Sequence, residues 1–235
     1  MAKFGILLIT GIAFIVIVSM VITTVETAPL STPLSLTNDP NQPRMEPRQI
    51  TRDPRPITVV INAGDGGRAP GAVVGGVMEK DINLAVALRV LALTRSDPRL
   101  RVVLTRMTDR YIAHRDRLKI AERAGAALYL SIHTNAALTT QARGIETWVD
   151  DSRGPTDRSW LLAEAVQRGV IASVGAVDRG VRSQRLYMRH TRLPAVLLEV
   201  GFLTHPAERR LLLTPEHQDR IARGIVNGIL DFLNL

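Results

Sequence analysis

The stretch ITVVINAGDGGRAPGAVVGGVMEKD, residues 57–81, decides how this chain is organised. It opens with the apolar, β-branched run Ile57–Ile61, which is typical of a buried strand. A glycine-rich loop follows and carries Asp65, and a helical pattern begins at Glu79. This order of strand, loop and helix is typical of an α/β fold in which the loop lies at the carboxyl end of the strand.

Two shorter stretches downstream repeat the same order. SIHTN at 131–135 and LLEVGF at 197–202 each belong to an apolar run that ends on a residue capable of chemistry, His133 in the first and Glu199 in the second. In an open α/β sheet, ligands bind just beyond the carboxyl ends of the parallel strands. We therefore expect the three strand ends, together with the first turn of the helix at Glu79, to converge on one site.

The apolar periodicity after residue 57 alternates between strand and helix patterns. The predicted strands are Ile57–Ile61, Arg101–Thr105, Ala127–Ile132, Gly144–Val149, Leu186–Met188 and Ala195–Val200. The predicted helices are Glu79–Arg95, His114–Ala124, Ser159–Ala172 and Pro215–Leu233. This alternation predicts an α/β fold with a mixed, mainly parallel central sheet flanked by helices.

The composition limits the partners and the kind of metal site. Hydrophobic residues make up 46% of the 235 residues, which is enough for a sizeable core. The net charge is +8, which is compatible with an anionic polymer or with a plain solvated surface. Because the arginines are dispersed and aromatic residues are only 4%, we predict no nucleic-acid partner. The chain has no cysteine, so any metal must be bound by histidine and carboxylate side chains.

The amino-terminal segment carries an almost unbroken apolar run, Phe4–Ile22, of about the length of a membrane-spanning helix. Lys3 precedes it and no further Lys or Arg occurs until Arg44, which predicts a cytoplasmic amino terminus. We therefore predict a transmembrane helix within residues 1–26, in a single-pass protein of the cell membrane whose other residues lie outside the cytoplasm. The alternative is a cleaved signal peptide, which would make the protein secreted.

Residues 27–56 form a segment of different composition. Prolines recur there among Ser, Thr, Asn and Arg, which is typical of an extended, semi-rigid linker without a core. We therefore predict one folded domain over residues 57–235, held away from the membrane by the linker. We expect this domain to be a monomer.

A nucleotide-binding loop is an alternative interpretation of the glycine-rich segment 64–76. Gly64, Gly66 and Ala69 match the dinucleotide fingerprint in spacing, but that fingerprint opens a helix at once, whereas here the loop continues to Met78. The segment also lacks the Gly-Lys-Ser/Thr of a phosphate cradle. We expect the glycines instead to allow close approach of the backbone to a metal site and an extended substrate.

Several motifs across residues 57–235 occur in the order found in a known family. NAGDGG at 62–67 and EKD at 79–81 correspond to its first motif, SIHTN at 131–135 matches its second, and EVGFL at 199–203 matches its last. On these motifs the chain resembles the zinc-dependent N-acetylmuramoyl-L-alanine amidases of bacterial cell walls. The resemblance implies an enzyme that hydrolyses the amide bond between N-acetylmuramic acid and L-alanine in peptidoglycan.

The resemblance also implies roles for individual residues. Asp65, Glu79 and His133 match the positions of the zinc ligands, and Glu199 matches the catalytic glutamate, a base for water and then a proton donor. Asp65 stands where the family has histidine, which implies weakened activity. A degenerate domain that only binds peptidoglycan is therefore an alternative. For Glu199 by itself, the alternative is a structural ion pair with an arginine.

Some members of the family carry an inserted helix that covers the zinc until an activator displaces it. In this chain only residues 136–158 separate the SIHTN motif from the next predicted helix, and they include a predicted strand. We therefore expect no helix that blocks the site beside His133.

Overall fold

The structure, a computed structural model, describes residues 55–235. The predicted transmembrane helix within residues 1–26 and almost all of the linker lie outside the described residues, so both stay predictions. Within residues 55–235, no helix is long and apolar enough to cross a membrane.

The central sheet contains six of the strands in the described part of the chain. The strands are β1 (Ile57–Ala63), β2 (Val73–Val74), β3 (Val77–Met78), β4 (Leu100–Leu104), β5 (Leu128–Asn135), β6 (Ile145–Asp150), β7 (Asp178–Gln184) and β8 (Ala195–Phe202). The order in the central sheet is β4-β1-β5-β8-β6-β7, and β2 and β3 form a separate hairpin.

Strand direction changes once across the sheet. Strands β4, β1, β5 and β8 are parallel to one another, whereas β6 is antiparallel to β8 and β7 is parallel to β6. The predicted mixed, mainly parallel sheet is therefore confirmed. Because β6 runs in the opposite direction, its first residues lie at the same edge as the last residues of β1, β5 and β8.

Helices cover both faces of the sheet. They are α1 (Glu79–Thr94), α2 (His114–Arg123), α3 (Arg158–Val174), α4 (Pro206–Leu212) and α5 (Pro215–Leu233). Helices α1, α3 and α5 pack on one face over the larger apolar core, and α2 packs on the other face over a smaller one. Burial of each large aliphatic side chain in these cores contributes about 1.5–3 kcal/mol. This packing fixes the strands whose ends carry the predicted site.

The predicted elements differ from the structure in four places. Leu186–Met188, predicted as a strand, lies at the start of a 3-10 turn, Tyr187–His190, in which Met188 is buried and Tyr187 stacks on His114. Strand β7 was not predicted, because its sequence DRGVRSQ is mostly polar, as an edge strand with one exposed side can be. The β2–β3 hairpin and α4 are too short to give a periodic pattern.

The connection between β5 and β6 agrees with the expectation from its length. Residues 136–144 form no helix, and the chain enters β6 directly at Ile145. No helix of this connection therefore covers the end of β5.

Candidate metal centre

Three of the predicted site residues form one cluster. Asp65 lies just after β1, Glu79 is the first residue of α1, and His133 lies near the end of β5. One side-chain oxygen or nitrogen atom from each lies within 4.8 Å of the others. His133 Nδ1 is 2.7 Å from Glu79 Oε1 and 3.6 Å from Asp65 Oδ2. The expected convergence of strand ends with the first turn of the helix at Glu79 is therefore present for Asp65, Glu79 and His133.

The loop that carries Asp65 is shaped by close contacts. Asp65 has a φ of 56°, in the left-handed region that a non-glycine residue rarely adopts. A Cβ at Gly64 would lie 2.5 Å from His133 Nε2, and a Cβ at Gly71 would lie 2.6 Å from Asp65 Oδ2. Glycine is therefore required at both positions because the backbone passes directly beside the clustered side chains.

Backbone groups of the same loop hold Glu79 in place. The amide of Glu79 donates to Ala72 O at 2.9 Å, so a loop carbonyl takes the first free N–H group of α1. Glu79 Oε2 accepts from Ala72 N at 2.9 Å, and Glu79 Oε1 accepts from Thr134 N at 3.1 Å. These bonds tie the carboxylate to the loop on one side and to β5 on the other.

The charges of the trio are strongly coupled. Burial and the neighbouring Glu79 carboxylate raise the pKa of Asp65 to about 6. Burial also opposes the charge of Glu79, but the hydrogen bond and the charge of His133 lower the pKa of Glu79 to about 2. For His133, burial disfavours the charged form, yet the bond to Glu79 and the nearby carboxylates raise its pKa. Two carboxylates thus compete for one positive partner.

A bound cation would fit this arrangement. Asp65 Oδ2 is buried and has no hydrogen-bond partner among the described residues. A buried polar atom without a partner is costly, and a divalent metal would satisfy it while removing the repulsion between Asp65 and Glu79. One imidazole and two carboxylates also form a donor set that metal sites use. The three residues therefore constitute a candidate metal centre.

The fourth predicted residue, Glu199, lies beside the trio in β8. It is the partner of His133 across the β5–β8 pair. Its Oε2 is buried and without a hydrogen-bond partner in the described chain, and burial raises the pKa of Glu199 to about 8. A carboxylate with such a pKa can exchange a proton near neutral pH.

Another carboxylate, which was not predicted from the sequence, lies in the site. Glu146 in β6 is the cross-strand partner of Glu199 and is only 2% exposed. Its Oε2 accepts from Arg179 Nε at 2.6 Å, and its Oε1 accepts from Asn135 Nδ2 at 2.8 Å. A signal was available, because Glu146 interrupts an apolar strand as Glu199 does. Its place in the site depends on the reversed direction of β6.

Two buried arginines under the Asp65 loop were also missed. Arg106 and Arg117 lie at the bottom of the site and donate to backbone carbonyls of the loop. Nothing in the sequence distinguishes them from the exposed arginines that dominate the chain.

The other histidines lie outside the trio. His205, for example, accepts from Glu208 N at the start of α4.

Comparison with known families gives a match over most of the described chain. The sequence model of the family described as N-acetylmuramoyl-L-alanine amidase matches residues 59–231.

Curated relatives agree with this match. The chain is 32% identical over 176 residues to N-acetylmuramoyl-L-alanine amidase LytC of Bacillus subtilis, an alignment that covers 74% of this chain and 35% of LytC. It is 36% identical over 174 residues to the uncharacterized protein YqiI of the same organism, which covers 73% of this chain and 82% of YqiI. The chain thus spans about a third of LytC and most of YqiI.

Solved structures agree as well. The crystal structure of an N-acetylmuramoyl-L-alanine amidase from Clostridium difficile 630 superposes with a TM-score of 0.73 and 35% identity, covering 77% of this chain and 98% of that one. The catalytic domain of CwlV, an N-acetylmuramoyl-L-alanine amidase from Bacillus (Paenibacillus) polymyxa, gives a TM-score of 0.71 and 36% identity, covering 76% of this chain and 98% of that one.

Proposed function

Because the chain belongs to the N-acetylmuramoyl-L-alanine amidase family, we propose that it hydrolyses the amide bond between N-acetylmuramic acid and L-alanine in peptidoglycan. The observation that carries this proposal is the position of Glu199. It is a carboxylate with one buried, unpartnered oxygen, placed beside three potential metal ligands. A domain that only bound peptidoglycan would have no use for such a group.

We assign the metal role to Asp65, Glu79 and His133, with zinc as the metal. Zinc with three protein ligands and an open position polarises a carbonyl and lowers the pKa of bound water. The protein's own contribution is to hold the three donors at one point and to keep Glu199 next to them. The orphaned oxygen of Asp65 supports this assignment.

Glu199 is the acid–base residue of the proposal. As a carboxylate it accepts a proton from the attacking water, and as a carboxylic acid it donates that proton to the leaving amine of L-alanine. In the metal-free protein, burial raises the pKa of Glu199 to about 8, so this carboxyl group can hold a proton near neutral pH.

Asp65 in place of a histidine makes the proposed centre less positive. Two carboxylates and one imidazole neutralise more of the charge of a divalent ion than one carboxylate and two imidazoles do. We therefore propose a metal-dependent enzyme that is slower, or active at higher pH, than one with two histidine ligands. A degenerate, metal-poor binding module is the alternative, and the intact trio and Glu199 disfavour it.

We further propose that the domain acts outside the cytoplasm as a monomer, attached to the membrane by the helix within residues 1–26. This proposal depends on the sequence of Phe4–Ile22 and its flanking charges. Amino-terminal sequencing of the mature protein tests it. Retention of Phe4–Ile22 is expected, and a mature chain that starts after Ala28 would show a secreted protein instead.

The proposed reaction is tested with the full chain in detergent and purified peptidoglycan. We expect new amino-terminal alanine groups to appear, with loss of activity in a chelator and recovery on addition of zinc. Co-sedimentation with peptidoglycan without release of any amino-terminal alanine would instead favour the binding module.

A further inference from the structure

Two arginine side chains lie in the interior of the domain beneath the Asp65 loop. Arg106 is 1% exposed and Arg117 is 2% exposed. Arginine stays charged when buried, so its burial is costly unless its five N–H donors find acceptors. The acceptors that these two side chains use therefore indicate what they do.

Arg117, on α2, reaches across to the end of β1. Its Nη1 donates to Asn62 Oδ1 at 2.6 Å and to Ala63 O at 2.8 Å, and its Nη2 donates to Asp65 O at 2.7 Å. Its Nε donates to Ile112 O at 2.9 Å. One guanidinium thus holds the strand end and the backbone of Asp65 together.

Arg106, just after β4, donates to backbone carbonyls of the same segment. Its Nε donates to Ala63 O at 3.0 Å, and its Nη2 donates to Gly64 O at 2.7 Å. The same Nη2 donates to Lys80 O at 2.8 Å, in the first turn of α1. Arg106 therefore joins the loop of Asp65 to the helix that begins with Glu79.

Together the two guanidiniums donate to three consecutive carbonyls, those of Ala63, Gly64 and Asp65. Every acceptor described above is uncharged, so two full positive charges are buried against backbone and amide oxygens. The loop they hold has Asp65 in the unfavourable left-handed region, which persists only where the surroundings impose it. A planar guanidinium can bind several carbonyls at fixed angles, which an ammonium group cannot do.

We propose that Arg106 and Arg117 are positioning residues for the metal centre, which act by holding the backbone of residues 63–65 so that the Asp65 carboxylate points at Glu79 and His133. This inference depends on the metal site of the proposed function. A short aspartate has less reach than a histidine, so its backbone must be fixed at the correct distance. The arginines supply that constraint without contacting the metal or the substrate.

The experiment measures the zinc affinity of the full chain in detergent, by competition with a chromophoric chelator, for R106K and R117K. Each lysine keeps the positive charge but loses the planar set of guanidinium N–H donors. Loss of groups that orient metal ligands typically weakens metal binding about ten- to a hundredfold, and we expect that decrease in both variants. The melting temperature of each variant is measured in chelator alongside.

Two control variants separate positioning from general destabilisation. R115M removes an exposed arginine from the same helix, α2, and should change neither zinc affinity nor melting temperature. Leu162→Ala opens the core in α3, away from the site, and should lower the melting temperature while zinc affinity stays unchanged.

Zinc affinity that is unchanged in R106K and R117K would overturn the inference, and so would a decrease matched by Leu162→Ala. A lysine variant that does not fold even with zinc would likewise show a structural role and overturn it. A wild-type chain that binds no zinc would contradict the metal site itself, and the inference with it. Wild-type binding with the decrease confined to the two lysine variants supports it.

Discussion

Glu146 and Glu199 face each other across β6 and β8, and their surroundings are opposite. Glu146 is completely engaged: Arg179 binds one oxygen, and Asn135 and Trp148 donate to the other. Glu199 has a buried oxygen that no group in the described chain satisfies. Two neighbouring carboxylates in similar apolar strands therefore differ in whether their oxygens have hydrogen-bond partners.

This difference in hydrogen-bond partners distinguishes a structural role for Glu146 from a functional role for Glu199. A buried charge with full partners is stabilised where it lies, whereas one without partners is costly and persists where a ligand or a reaction needs it. The structural ion pair with an arginine, which was the alternative for Glu199, exists at Glu146 instead. This contrast supports the assignment of Glu199 as the acid–base residue.

The largest expected effect is on turnover. Glu199→Gln should reduce amidase activity by about a hundred- to ten-thousand-fold, because general acid–base groups contribute rate factors of that size. Zinc affinity should stay the same, since Glu199 is outside the ligand trio. The measurement is the release of amino-terminal alanine from peptidoglycan. Glu146→Gln should keep most of the activity, and equal losses in the two variants would remove the distinction between them.

The second effect is on stability in the absence of metal. Because burial raises the pKa of Glu199 from 4.5 to about 8, the folded state holds a proton that the unfolded state has lost. The contribution of Glu199 to the free energy of unfolding is therefore fully present below pH 4.5 and is lost as the pH rises toward 8. Glu199→Gln should remove this loss and stabilise the chelated protein at pH 8 by up to about 4 kcal/mol, at about 1.4 kcal/mol per pKa unit.

Urea unfolding of wild type and Glu199→Gln at pH 5 and pH 8 checks this expectation. The two proteins should be nearly equal at the lower pH and differ at the higher one. A variant that is less stable than wild type at pH 8 would show that the ionised Glu199 is stabilised by its surroundings, as Glu146 is.

The third effect concerns Glu146. Glu146→Gln removes the negative charge next to Arg179, and a hydrogen bond to a charged group contributes about 1.5–3 kcal/mol. Since the Arg179 side chain is 28% exposed, water replaces part of that loss and we expect a destabilisation of about 1–2 kcal/mol. Glu164→Gln, an exposed acid on α3, is the matched control and should be neutral. Equal unfolding free energies for the two variants would contradict a structural role for Glu146.

The site residues that the sequence predicted are those marked by local patterns, and the ones it did not predict are placed by contacts between distant parts of the chain. Asp65, His133 and Glu199 were found because each follows or ends an apolar strand pattern, and Glu79 because it begins a helical one. The roles of these four residues came from the family resemblance. Glu146 carries the same local signal. It could not be placed, because the direction of β6 is decided by its pairing with a strand about fifty residues further along the chain.

The buried arginines show the other limit. In the sequence, Arg106 and Arg117 have the same character as exposed residues such as Arg115, and only tertiary packing buries them. The polar edge strand β7, which carries Arg179, gave no apolar alternation. Elements whose stability comes from long-range contacts, and not from their own pattern, are therefore the ones that the sequence did not predict.

The smallest expected effect is that of Asp65→His. Imidazole is a donor that suits zinc, so zinc affinity should rise, and it leaves the metal more positive than a carboxylate does, so amidase activity at neutral pH should rise as well. Each increase should be about tenfold, or 1.4 kcal/mol, at most. The increase is limited because a Cβ at Gly71 would already lie 2.6 Å from Asp65 Oδ2, and a larger ring must fit beside that backbone. Titration with zinc and the alanine-release assay measure both quantities. A variant that gains neither would favour the binding module.

The most direct test of the central claim is the zinc stoichiometry of the full chain, measured by native mass spectrometry for wild type, Glu79→Gln, Glu146→Gln and Glu199→Gln. The claim is that Asp65, Glu79 and His133 hold one metal and that the two facing glutamates do not. We predict one zinc per chain in wild type and in the variants of Glu146 and Glu199, with loss of zinc in Glu79→Gln. A wild-type chain without zinc, or a Glu79→Gln chain that retains it, would contradict the account.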